Sequence, residues 1–194
     1  MDLKTLTALG WSVLAAGAAW ADTTAGNMIG TWQSELAEQP APDGSASAYI
    51  QLTMTLDGTV QTLKTEAFGD PAGQQPLFTY ASVGPYTILG AHDPVDGALA
   101  VDFVNDKSEL TIFVDAPDLW RAINMQDCPL EIGTAVDITD CVSGPPFLVT
   151  DCVDMDFVLV DMGGDRLRFG DQTVNRCETR PSEPSAFPFF RVES

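Results

Sequence analysis

Positive charge is scarce in this chain of 194 residues, which carries 9 Lys and Arg against 28 Asp and Glu for a formal net charge of -19. So few cations scattered among so many anions cannot release counterions along a phosphate backbone. That excludes nucleic acid as the partner and disfavours anionic membrane surfaces. Histidine is almost absent too. His92 is the single imidazole, so any Ser-His-Asp or Cys-His relay would have to be built on it. It falls in Ala91-His92-Asp93-Pro94, a loop composition in which a solvated side chain is expected. The four cysteines form no C-x-x-C pair, the spacing that zinc sites use. The chain also has no phosphate-cradling glycine motif and no Asn-x-Ser/Thr acceptor. No cofactor, metal or catalytic residue is expected, and the chain reads as non-enzymatic.

What is present is apolar and turn-rich. Apolar residues make up 45% of the chain, with 16 Gly and 13 Pro, so it forms a core and is not a disordered acidic tail. Aspartate supplies 20 of the 28 acids, a bias toward turns and strand ends over helix surfaces. Residues 1–21 read as a secretory signal: Lys4, then an apolar run from Leu6 to Trp20, then Ala19-Trp20-Ala21 as the cleavage site. The run falls short of the roughly 20 residues needed to span hydrocarbon, so no stable membrane insertion is expected after cleavage. Residues 22–194 are read as one domain, periplasmic or secreted. In that compartment Cys128, Cys141, Cys152 and Cys177 are expected in disulfides, of which three connectivities exist and the sequential one closes the shortest loops.

Ile50, Leu52, Met54 and Leu56 alternate with Tyr49, Gln51, Thr53 and Thr55, the period of a strand with one dry face. Asp57-Gly58 follows as a two-residue turn, and residues 48–68 read as a β-hairpin. Further strands are expected over 28–35, 76–83, 85–89, 98–104, 109–114, 135–139, 156–160 and 166–169, with Met162-Gly163-Gly164-Asp165 as a second hairpin turn. Residues 116–125 alone look helical, with Asp115 as N-cap and Pro117 in the first turn. Residues 37–46 and 178–188 have loop compositions. About ten short strands at this spacing predict an all-β fold, a single antiparallel barrel or sandwich with one short helix.

Asp151, Asp154 and Asp156 suggest oxygen ligands for calcium, but they lack the order of an EF-hand loop, and an acidic strand entrance is the plainer reading. With so many acids, a paired-carboxylate hydrolase is the least favoured alternative. Gly30-Thr31-Trp32 opens the expected domain as small apolar-ligand barrels often do, with an indole plugging the closed end.

The same triplet begins a longer series. Gly30-Thr31-Trp32-Gln33-Ser34 with Glu38, Gln75 to Tyr80, Gly84-Pro85-Tyr86, the Cys128 and Cys141 pair, Gly164 to Gly170, and Arg180-Pro181 before Arg191-Val192 occur in one order. In this the chain resembles the adenomatosis polyposis coli down-regulated domain family, known from animal Wnt-inhibitor ectodomains and from shorter exported bacterial proteins. The resemblance covers roughly residues 28–192. It implies a lipocalin-like β-barrel whose apolar interior accepts a lipid, and a Cys128–Cys141 bond. One departure is visible: where the family has a cysteine after the first tryptophan and another near Gly73, this chain has Ala37-Glu38-Gln39-Pro40 and no cysteine. A missing disulfide at the barrel mouth is implied.

These readings converge on an exported binding protein whose barrel holds an apolar or lipid ligand, the alternative being an interaction module with a filled barrel. The expected lining is Trp32, Ile50, Leu52, Met54, Leu63, Phe78, Tyr80, Tyr86, Phe103 and Phe113. For the remaining cysteines, Cys152 and Cys177 lie at similar distances outward from the Gly163-Gly164 turn, which predicts a bond across the open end of that hairpin.

Overall fold

In the computed structural model, residues 23–40, 47–122, 125, 127–141 and 152–193 are described; the expected signal at 1–21, the loop at 41–46 and Asp151 lie outside them. The alternation around Ile50 builds the longest hairpin. In chain order the strands are β1 (Gly30–Ser34), β2 (Ala37–Pro40), β3 (Ser47–Leu56), β4 (Val60–Phe68), β5 (Pro76–Ala91), β6 (Leu99–Phe103), β7 (Lys107–Ile112), β8 (Ala135–Asp137), β9 (Asp154–Val160), β10 (Arg166–Phe169) and β11 (Phe189–Arg191). Two short helices, α1 (Ala25–Met28) and α2 (Pro117–Ala122), complete the set. Neither is long and apolar enough to cross a membrane.

Eight strands close on themselves in the order β1, β3, β4, β5, β6, β9, β10 and β11, every pairing antiparallel. Closure removes the exposed edges that an open sheet would present. The other three strands extend two members of this ring. β1 and β2 lie end to end along β3, and β6 and β7 lie end to end along β5; at each junction the ladder slips by one residue. Such a bulge bends the strand. Below the bulges the sheet closes into the barrel. Above them β3, β4 and β5 continue into an open sheet ordered β2-β3-β4-β5-β7-β8.

β5 runs unbroken through both parts, where two strands separated at Gly84 are expected from the sequence. Gly84 sits under the bulge between β6 and β7, and a Cβ there would collide with the Val104 carbonyl oxygen. Glycine is required here by the close approach of another backbone and not by a turn. Gln61 secures the same bulge from β4, its Nε2 donating to Asn105 Oδ1 at 2.7 Å.

Each part has its own core. Trp32, Leu56, Val101, Val160 and Leu167 are buried inside the barrel. Ala67, Phe78, Tyr80, Leu110 and Ile112 are buried on the concave face of the upper sheet, covered by Trp120 and Met125. The Cys128–Cys141 bond holds that cover, its Cα atoms 5.8 Å apart. Cys152 and Cys177, 5.6 Å apart at Cα, form the second bond, beside the barrel.

Other expectations change in detail. The first hairpin turns about Gly58 and Thr59, since Leu56 pairs with Gln61; the Asp57 carboxylate accepts the Val60 N–H at 3.0 Å and so lies one place outside the turn centre. α2 takes its first hydrogen bond at the Ala116 carbonyl, which makes Ala116 the N-cap in place of Asp115. α1 was not expected; one turn of helix has no legible period, but Thr24 and Asn27 form a capping box around it. β2 occupies what reads as loop, an edge strand whose Pro40 falls at its last position, where a missing N–H costs no ladder bond.

Candidate functional site

The closed end of the barrel is built on Trp32, which is fully buried. Its indole Nε1–H donates to the Met28 carbonyl at the end of α1 (2.8 Å). The Arg191 guanidinium stacks over the ring at 4.0 Å, a cation–π contact. Arg191 also donates to the carbonyls of Asn27 (2.7 Å), Ile29 (3.0 Å) and Gly164 (2.8 Å), tying α1, β11 and the β9–β10 turn into one floor. Gly30, at φ 140°, leaves room for this side chain: a Cβ there would meet Arg191.

Above the floor the interior is filled. Tyr86, Phe103, Phe169 and Phe189 form a ladder of rings across the barrel, with successive centroids 6.0, 6.0 and 5.3 Å apart. The Tyr86 hydroxyl accepts the Gly58 N–H at 3.0 Å, and burial raises its pKa above the usual phenol range. The ladder stops short of the β1–β2 bulge. There a cavity of about 330 Å³ opens between the barrel core and the mouth, walled by Ile50, Leu52 and Met54 of β3, Leu63 of β4, Leu36, and Phe169 and Phe189. Its other wall is the segment after β10, through Gln172, Ser185, Phe187 and Pro188, and its rim carries Glu35, Glu38 and Gln39. The volume lies within the range of small-molecule pockets, which are mostly apolar with a few polar groups at one end.

Of the expected lining residues, Ile50, Leu52, Met54 and Leu63 are brought together around this cavity. Trp32 belongs to the floor, and Tyr86 and Phe103 to the ring ladder. Phe78 and Tyr80 face the upper core, where Phe78 meets Trp120 edge-on at 6.1 Å and the Tyr80 hydroxyl bonds Ser108 Oγ at 2.9 Å; burial raises the Tyr80 pKa. Phe113 follows Ile112, which is buried, and is 40% exposed, on the face away from both cores. Sequence reasoning missed Phe169, which alternates legibly with Leu167, and also Leu36, Gln172, Ser185, Phe187 and Phe189, which lie in stretches with no period to read.

A charged cluster lies behind the mouth wall. Asp154 and Asp156 lie on the inner face of β9 with Val158, and the Arg176 guanidinium bridges them at 3.1 and 2.7 Å. A cation is therefore already supplied by the chain between the two carboxylates expected as an acidic entrance. Asp156 further accepts the N–H groups of Phe157 and Gly170, each at 2.7 Å. Asp154 is less well served, since its buried Oδ1 has no hydrogen-bond partner among the described residues. Burial pushes its pKa up to about 6, against the opposing pull of Arg176. Arg180 pairs with Asp102 at 2.5 Å and donates to the carbonyls of Val101 and Asp156.

His92 is buried and not solvated as the sequence suggests. Its ring stacks on Phe157 at 5.0 Å, and Nε2–H donates to the Pro181 carbonyl at 2.7 Å, pinning the segment after β10 to the outer wall.

No family model matches the chain, and no curated protein matches it in sequence.

Proposed function

We propose that this protein is an exported, non-enzymatic binding protein that holds an apolar or lipid ligand at the mouth of its barrel. The observation that carries this reading is the cavity of about 330 Å³ walled by Leu36, Ile50, Leu52, Met54, Leu63, Phe169 and Phe189. Close-packed interiors leave few voids larger than a water molecule, and an apolar void of this size at an open end suits a ligand better than bulk water. Phe187, 68% exposed at the rim, supports the reading, since a ring held in solvent gains most from a guest beside it. Two disulfides support an oxidising compartment.

Native mass spectrometry of protein purified from its own host is the test. The expected spectrum shows an apolar adduct of small-molecule mass, lost on delipidation and regained on refeeding. In a Leu63→Trp variant, whose indole fills the cavity, the adduct is absent while the fold is kept. Protein that carries no adduct and takes none up after delipidation sinks the proposal in favour of a filled-barrel interaction module.

A further inference from the structure

The apolar wall of the cavity cannot tell one head group from another, so the choice falls to the rim. We propose that the mouth selects amphiphiles with a cationic head, an apolar chain bearing an ammonium group, and rejects those ending in carboxylate, sulfate or phosphate. This rests on the ligand-binding reading above and names the chemistry of the ligand.

Three observations carry it. Among the described residues no lysine, arginine or histidine lines the cavity, while Glu35 and Glu38 stand at its rim, both exposed. Two of the side-chain donors an anion would seek are already engaged. The Ser34 hydroxyl donates to the Glu35 carbonyl at 2.9 Å, and Gln172 Nε2 donates to the Gly170 carbonyl at 2.6 Å. Finally, the guanidinium groups nearby are held elsewhere: Arg176 lies between Asp154 and Asp156, and Arg168 donates to the Ser185 carbonyl at 3.1 Å. An anionic head seated here would give up water for neutral donors at best and would gain no cation, the unfavourable case for a buried charge. An ammonium head would sit in the field of the two rim glutamates, in a chain of net charge -19, which also favours its approach.

The experiment compares three probes with the same dodecyl tail by titration calorimetry on the whole protein at low salt, each below its micelle concentration: dodecyltrimethylammonium, neutral dodecyldimethylamine oxide, and dodecanoate. The expected order is cation, neutral, anion, with the cation about tenfold tighter than the neutral probe and the margin shrinking as salt is raised. Glu35→Gln with Glu38→Gln brings the cation to the level of the neutral probe and leaves the neutral probe unchanged. Asp93→Asn with Asp96→Asn makes the same change in net charge far from the mouth and keeps the order. Dodecanoate binding as tightly as the cation, or an order that survives the loss of both glutamates, overturns the selectivity while the ligand reading stands. No binding of any of the three overturns both.

Discussion

The barrel and the sheet above it share β3, β4 and β5 but treat their edges differently. In the barrel, β1 joins β11 to β3 and every strand has two neighbours, so its core is sealed by strands and by the Trp32–Arg191 floor. In the upper sheet, among the described residues, β2 pairs only with β3 and β8 only with β7. That concave face needs a lid, which comes from α2, Met125 and the loop tied by Cys128 and Cys141. One part is closed by backbone hydrogen bonds, the other by side chains and a covalent bond. The cavity lies where the two schemes meet, because the bulge at Glu35 and Leu36 separates β1 from β2 and leaves that side of the barrel without a ring of packed aromatics.

The largest effect is expected where both parts depend on one residue. Gly84→Ala drives a methyl group into the Val104 carbonyl and should cost about 3–5 kcal/mol. Urea unfolding followed by circular dichroism reads it, and an unchanged midpoint would mean that the β6–β7 bulge does not need the close approach. Next comes a change meant to separate the two parts. Removing the upper bond with Cys128→Ser and Cys141→Ser, 13 residues apart, should cost about 3 kcal/mol by the loop-entropy model. Hydrogen exchange should then quicken in β7 and β8 and stay slow in β9 and β10. Equal loss in all four strands would show the two parts to be one cooperative unit.

The smallest effect concerns the barrel mouth and its pH dependence. Asp154 holds its proton up to about pH 6 in the folded chain, against the ordinary aspartate value of 3.8 in the unfolded one. The folded state therefore binds more protons between these values. The stability this contributes is fully present below the lower value and is lost as pH rises through the upper one. Asp156, Asp102, Arg176 and Arg180 face the group and are common to both proteins in the comparison with Asp154→Asn. From pH 4 to pH 7 the native protein should lose on the order of 2 kcal/mol relative to this variant. Parallel stability curves for the two would place the origin of the pH dependence elsewhere.

Local alternation made the 48–68 hairpin, the 166–169 strand and the glycine turn at 162–165 legible, since each depends on neighbours a few residues away. The Cys152–Cys177 pairing followed from counting outward along that second hairpin. Facing was harder. Phe78 and Tyr80 share the inner face of β5 with Tyr86, but a bulge in the partnering strand sends them to a different core, and Gly84, the β5 residue that the bulge requires, reads in the sequence as a break between strands. Phe113 is expected among the lining, yet it follows the buried Ile112 and points away, as the next step of a period-two strand must.

By itself the sequence determined that the chain is all-β, acidic, turn-rich and equipped with an even set of four cysteines, because composition and period-two patterning act through local contacts. Only the tertiary structure decided where the sheet closes and where it flares, which aromatics fill the barrel, and that Gln172, Ser185 and Phe187 wall a cavity with Ile50 and Leu52. Those outcomes depend on register and on bulges. A one-residue slip between distant strands changes which side chains meet, and such a slip leaves no trace in either strand read alone.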